Sequence, residues 1–211
     1  DLSREFIAGL QYKNEKGIFK TAKRNVLKNI DDLPTPAWDL INMSKYKERW
    51  NAGSGYFSLN LSTTRGCPFH CNWCAKPIYG NRYNVHSPQR IVEQIKFLQS
   101  TYGASHFWMT DDIFGLKPGW IKEFADLIEA SQLKIRFKIQ SRADLLTNDN
   151  TISDLARAGC EIVWMGAESG SQKILDAMDK GITVKQIREA TTGLKNAGVK
   201  AAFFLQFGYP G

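Results

Sequence analysis

The sequence predicts an α/β chain built on a parallel sheet, and three observations carry that prediction. Five strand-like runs, YFSLNLST, HFWMTD, IRFKIQS, EIVWMGA and KAAFFLQF, are rich in β-branched and aromatic residues. Several are nearly continuous in apolar residues, as suits parallel strands covered on both faces. Stretches with a helical period separate them, and strand alternating with helix builds a parallel sheet. Each run also turns polar where it ends, at Thr63-Thr64-Arg65, Thr110-Asp111-Asp112, Gln140-Ser141-Arg142, Glu168-Ser169 and Gln206. The sheet is either most of a barrel or an open doubly wound sheet. In both, chemistry gathers at the carboxyl ends of the strands, so five polar ends on one face point to a polar ligand.

The elements follow in order. Near the start, IAGLQY and IFKTAK flank KNEKG, a hairpin turn in which Gly17 supplies positive φ. DDLPTPAWDL follows, and its two prolines favour an extended connector. Up to about residue 50 the chain reads as a linker rather than a domain. From Gly55 the alternation begins. Ser87 caps a helix with Pro88 at its first position; Ile91, Ile95, Leu98 and Tyr102 share one face and Gly103 ends it. Pro118 opens the next, with Ile121, Phe124 and Ile128 inward. NTISDLARAG gives a third helix, stopped by Gly159, and SQKILDAM a fourth. Thr183 caps a fifth, with Ile187, Ala190 and Leu194 inward and Gly198 at its stop.

The bulk composition bounds the rest. With 211 residues, 43% of them hydrophobic and 23% charged, the chain has the makeup of one globular domain with a real core. No apolar run approaches the ~20 residues that span a bilayer, and the start has no basic region followed by an apolar one. A cytoplasmic location is the expectation. The chain begins without Met and stops at the loop-like FGYPG, so it reads as a piece of a longer protein. The net charge of +7 is spread over scattered lysines. No block of basic residues interleaved with aromatics marks a nucleic-acid surface, and a solvated surface explains the charge.

Three of the four cysteines lie in TTRGCPFHCNWC, as Cys67, Cys71 and Cys74, directly after the first strand. They do not form the spread framework of a disulfide-rich secreted domain. One loop with this spacing can wrap its thiolates around a compact metal centre. A structural zinc site, completed by His70 or His86, is one reading, although zinc sites usually draw paired ligands from two separated places. The other is a 4Fe–4S cluster, which normally takes four thiolates. With three, one iron lacks a protein ligand, and an open coordination site marks reactivity. Cys160, at the amino end of its strand, reads as a small buried core residue.

The Cys67-x3-Cys71-x2-Cys74 loop after the first strand of a (β/α) repeat, with Trp73 before the last cysteine, resembles the radical S-adenosylmethionine superfamily. The resemblance covers residues from about 55 to 211. It implies a partial (β/α) TIM-like barrel of the radical S-adenosylmethionine type with about five βα units. It also implies a 4Fe–4S cluster on Cys67, Cys71 and Cys74, catalytic because its open iron binds S-adenosylmethionine. One electron from a donor such as flavodoxin or ferredoxin then cleaves the sulfonium to a 5′-deoxyadenosyl radical. By strand position, Asp111 and Asp112 stand where the family contacts the methionine amino group, although the family often has Gly-Gly-Glu there. Arg142 is placed for the methionine carboxylate, and Glu168 and Ser169 for the amino group or the ribose. LQFGYPG, with Gln206 and Gly208, resembles the glycine motif that admits adenine, and Trp73 lies beside that ring. Each has a local alternative: an aspartate capping the next helix, a glutamate paired with a lysine.

The longer stretches AGCEIVWMGAESGSQKILDAMDKGIT and FFLQFGYPG are similar to the cobalamin-dependent branch, and LPTPAWDLI to the linker that follows its cobalamin-binding domain. The resemblance implies residues 1–54 as a linker and hairpin after such a domain, and 55–211 as a core shortened at its carboxyl end. Cobalamin is implied for the parent protein, since this chain has no Asp-x-His-x-x-Gly sequence. Cobalamin-dependent methyl transfer, or a related cyclisation or rearrangement, is the expected activity. A transfer-RNA methylthiotransferase and a non-catalytic zinc-binding module are the alternatives.

Overall fold

The computed structural model describes residues 3–75, 79, 81–148 and 150–210; Gly211, the last residue of the LQFGYPG motif, lies outside them. The amino-terminal hairpin pairs β1 (Gln11–Asn14) with β2 (Gly17–Lys20), and Gly17 adopts φ +124° next to the turn. The connector that follows is extended and carries short 3-10 turns at Ile30–Asp32 and Trp38–Leu40. It is tied to the core. The Asp31 carboxylate pairs with His86 Nδ1 at 2.8 Å and accepts from Ser87 N at 3.0 Å. Arg90 Nη2 donates to Leu33 O and Thr35 Oγ1 at 3.2 and 3.0 Å. Burial pushes the Asp31 carboxyl up, but the bonds from Ser87 and His86 outweigh it and hold the group below its ordinary value.

Not expected from the sequence is α1 (Met43–Ser54), a 12-residue helix capped by the Asn42 side chain on Lys45 N and ended by Gly55 in the left-handed conformation. It buries no residue completely, so it lacks the apolar stripe that would announce it. Its caps are present in the sequence.

The core is a five-stranded sheet of β3 (Ser58–Leu61), β6 (His106–Met109), β7 (Arg136–Ser141), β8 (Cys160–Glu168) and β9 (Lys200–Leu205), all parallel and in chain order. Strands laid down in sequential order curl into a barrel, whereas a doubly wound sheet reverses its order. The molecule is therefore an arc of a (β/α) barrel. Between β3 and β6 run a short antiparallel pair, β4 (Thr64–Arg65) with β5 (Asn84–Val85), and α2 (Pro88–Tyr102). Then come α3 (Trp120–Ala130), α4 (Ala143–Leu146), α5 (Thr151–Arg157), α6 (Gln172–Ala177) and α7 (Val184–Asn196).

Sequence signals account for most of these. Ser87 Oγ accepts from Arg90 N at 3.1 Å and Gly103 takes φ +70°. Thr183 and Gln186 close a reciprocal capping box. The start of α3 differs from expectation: Gly119, at φ +76°, separates Pro118 from the first helical residue, Trp120. Ile91, Ile95 and Leu98, then Phe124, Ala190 and Leu194, are fully buried against the sheet. Phe114 meets Trp120, Phe124 and Phe137 in an aromatic cluster under the second and third strands. No helix among the described residues is long and apolar enough to cross a membrane.

Candidate active site

The β4–β5 pair brackets the cysteine loop, so both loop ends are pinned at the carboxyl end of β3. Gly66, at φ +84°, sits where a Cβ would collide with the Arg82 carbonyl; only glycine lets the two loop arms approach this closely. Below them Asp111 acts as an anchor. Its Oδ1 accepts from Thr63 N and Thr64 N at 2.7 and 2.8 Å, and its Oδ2 from Thr63 Oγ1 at 2.6 Å. Burial pushes this carboxyl up to about 6, against the opposing pull of those bonds. The far side of the loop is clasped too. Asn72 N and Nδ2 donate to Met178 O and Ala177 O at 3.1 and 2.7 Å, and Tyr209 Oη donates to Asn72 Oδ1 at 2.7 Å.

Cys67, Cys71 and Cys74 open onto one cavity of about 230 Å³, whose other walls come from the ends of β7, β8 and β9 and the turn after β6. Cys67 and Cys71 are partly buried and Cys74 is exposed. Among the described residues no three His, Cys, Asp or Glu side chains converge as a single ion requires. His86 is turned to Asp31, and His70 Nδ1 meets Asn81 Nδ2 at 3.1 Å. An iron–sulfur cluster makes a different demand: each thiolate serves its own iron, so the sulfurs line a cavity rather than meet at a point. Three soft thiols around one cavity, beside the cations Arg142 and Lys180, fit such an anionic cluster.

The structure separates the two aspartates. Asp112 lines the cavity, whereas the Asp111 carboxylate is spent on Thr63 and Thr64. Arg142 reaches the cavity, yet most of its donors are engaged. Nε and Nη2 hold Asp144 at 2.9 and 3.2 Å, Nη2 also donates to Lys180 O at 2.9 Å, and Nη1 lies 3.9 Å from Cys71 Sγ. The guanidinium carbon stands 3.6 Å from the Phe69 ring centre.

Glu168 lines the cavity and pairs with Lys180 Nζ at 2.9 Å. It sits at φ +57°, in a three-residue turn closed by Ser169 N on Ala167 O at 2.6 Å. A side chain costs roughly 1–3 kcal/mol in such a conformation, and strain of this kind gathers at functional sites. Trp73 lines the cavity 5.3 Å from Lys180 Nζ. Ser169, Gln206 and Gly208 stand behind this wall. Ser169 Oγ accepts from Ser171 N at 3.1 Å, Gln206 N donates to Glu168 O at 2.9 Å, and Gly208 turns at φ +76°.

Sequence reasoning did not mark Phe69, Gly166 or Lys180. Within DAMDKGIT, Lys180 reads as one more surface charge, yet it is 6% exposed. Cys160 is buried, with its thiol pushed up by burial, at the far end of the sheet.

A sequential parallel sheet with a three-thiol loop over its carboxyl edge defines an arc of an α/β barrel with a candidate site at the strand ends. The chain belongs to the radical SAM superfamily, whose model matches residues 61–211. It is 32% identical over 205 residues to an uncharacterised methyltransferase of Pyrococcus horikoshii, covering 97% of this chain and 43% of that one. An anaerobic magnesium-protoporphyrin IX monomethyl ester cyclase of Synechocystis is 25% identical over 194 residues, covering 92% and 38%. The solved structure of the radical S-adenosylmethionine methyltransferase TsrM from Kitasatospora setae, with cobalamin and a 4Fe–4S cluster bound, superposes with a TM-score of 0.77 at 18% identity. It covers 99% of this chain and 43% of that one. The chain thus spans less than half the length of these proteins.

Proposed function

We propose that this chain is the catalytic core of a cobalamin-dependent radical S-adenosylmethionine methyltransferase. One observation carries the reading: three thiols of a single loop open onto the same cavity as a buried Glu168–Lys180 pair. Cys67, Cys71 and Cys74 would hold a 4Fe–4S cluster, which when bound supplies one electron to the sulfonium of S-adenosylmethionine. The chain's own residues do the positioning. Asp111 and Gly66 hold the loop in place, and Asn72 ties it to the α6 end. Asp112 and Glu168 offer carboxylates to the ligand's amino group, and Trp73 an aromatic face to its adenine. Behind them, Ser169 and Gln206 bond to the turn that carries Glu168, and Gly208 turns the chain two residues on.

Methyl transfer is favoured by the Pyrococcus relative, named a methyltransferase, and cobalamin by the TsrM complex. Residues 1–54 would link a cobalamin-binding domain to the core, and a flavodoxin or ferredoxin would supply the electron. The cyclase relative favours a second reading, ring closure on the same core.

The test is anaerobic reconstitution of the full-length protein, followed by iron and zinc analysis and incubation with S-adenosylmethionine and reductant. Bound iron, bound cobalamin and release of 5′-deoxyadenosine with S-adenosylhomocysteine are expected. 5′-Deoxyadenosine without S-adenosylhomocysteine would favour the cyclase reading. Stoichiometric zinc without iron would reject both.

A further inference from the structure

Arg142 follows β7, and its side chain is only 7% exposed. A guanidinium carries five N–H donors in one rigid plane. Nε and Nη2 grip the two carboxylate oxygens of Asp144 at 2.9 and 3.2 Å. Nη2 also donates to Lys180 O at 2.9 Å. A two-point grip of this kind fixes the plane of the group, so the direction of Nη1 is fixed with it. Nη1 donates to Cys71 Sγ at 3.9 Å, a long bond to a large, soft acceptor. Phe69, from the cysteine loop itself, covers one face of the group, its ring centre 3.6 Å from the guanidinium carbon. A fork on the methionine carboxylate would need a free edge. Asp144 holds the Nε–Nη2 edge, and Cys71 and Lys180 O share the other.

The two charges of the Arg142–Asp144 pair do not cancel at the sulfur. Asp144 bonds the edge away from Nη1, and its side chain is 24% exposed, so water screens it more than it screens Arg142. A charge counts for more where water is excluded. The net field of the pair at Cys71 is therefore positive.

We propose that Arg142 raises the reduction potential of the iron–sulfur cluster through its N–H bond to Cys71, an inference that rests on the proposed cluster site. The step concerned adds one electron from an external donor, and no bond or proton changes hands. That electron enters a group already made anionic by its thiolates. A cation and an N–H at a ligating sulfur stabilise the added charge, and hydrogen bonds to sulfur are among the levers that set such potentials. Phe69 preserves the effect by keeping water from one face of the guanidinium. Arg142 acts through Cys71, without touching the substrate.

The test is a reductive titration of the full-length, cluster-reconstituted protein without S-adenosylmethionine, with the reduced cluster followed by electron paramagnetic resonance. Arg142→Gln keeps N–H donors but removes the charge. It should lower the equilibrium constant for reduction about tenfold or more, the scale of a lost charge-assisted bond. For a one-electron couple that is about 59 mV or more. Arg142→Lys keeps the charge and should stay closer to wild type; an equal shift in both variants overturns the charge argument. An unchanged potential in iron-loaded Arg142→Gln overturns the proposal, and weakened S-adenosylmethionine binding beside it would return Arg142 to the carboxylate. Wild type carries the test if the variants do not load iron. With heavy-nitrogen-labelled arginine, its reduced cluster should show a nitrogen coupling in pulsed measurements, because Arg142 is the arginine on the cavity among the described residues. Absence of that coupling overturns the contact. A wild-type protein that takes up no iron overturns the cluster site itself, and this role with it.

Discussion

Replacing Asp111 separates anchoring from charge. Its Oδ1 accepts two backbone N–H groups, from Thr63 and Thr64, at 2.7 and 2.8 Å, and those residues are 0% and 4% exposed. Asp111→Ala leaves both N–H groups buried without a partner. An unsatisfied buried donor costs about 1–3 kcal/mol, so two cost about 2–6 kcal/mol. Asp111→Asn keeps an oxygen at Oδ1 for both, while Thr63 Oγ1 turns to accept from the amide. The Ala variant should therefore be less stable than the Asn variant by about 2–6 kcal/mol in urea unfolding at pH 7.

The pH dependence carries its own sign. The carboxyl is raised by burial from 3.8 to about 6 in the fold. The folded state then binds more protons than the unfolded state between those values, so its contribution is greatest below 3.8 and is lost as pH rises through about 6. Wild-type stability relative to Asp111→Asn should fall as pH is raised across that window. Equal stability of the Ala and Asn variants within about 0.5 kcal/mol, the usual scatter of surface substitutions, would refute the anchoring argument. A flat difference between wild type and Asn would refute the electrostatic one.

Three further outcomes are expected. Gly66→Ala meets the Arg82 carbonyl at positive φ and should cost more than about 2 kcal/mol, with iron loading reduced; wild-type loading and stability would show that the loop arms can part. His106, lowered by burial from 6.5 to about 4, contributes fully as the neutral ring above 6.5 and loses that contribution as pH falls toward 4. The stability advantage of wild type over His106→Gln should narrow across that range in denaturant titrations, and a constant advantage would argue against it. Cys71→Ala removes one of the three thiols on the cavity and should abolish 5′-deoxyadenosine formation by the reconstituted protein. Retained product would remove Cys71 from the cluster.

How much of this was legible varied with the range of the interaction. The five strands, the capped starts of α2 and α7 and the cysteine loop are encoded within short windows, by apolar runs, Ser87, Thr183 and the thiol spacing. Helix α1 escaped notice because its caps, Asn42 and Gly55, frame a stretch with no buried residue. Asp111 and Asp112 look alike in sequence, and only the turn after β6 directs one to Thr63 and leaves the other on the cavity. Lys180 was invisible because its partners, Glu168, Gly166 and the Arg142 guanidinium, come from other elements.

By itself, then, the sequence determined the fold class, the family and the three thiols, because local periodicity and a short motif are properties of neighbouring residues. The partial barrel that the resemblance implied is borne out by the sequential strand order, while tertiary structure alone decided that Asp111 is an anchor and that a buried Lys180 lines the cavity with the thiols. Those outcomes depend on how strands distant in sequence align and on which side chains burial forces to find partners, and neither is written in any local window.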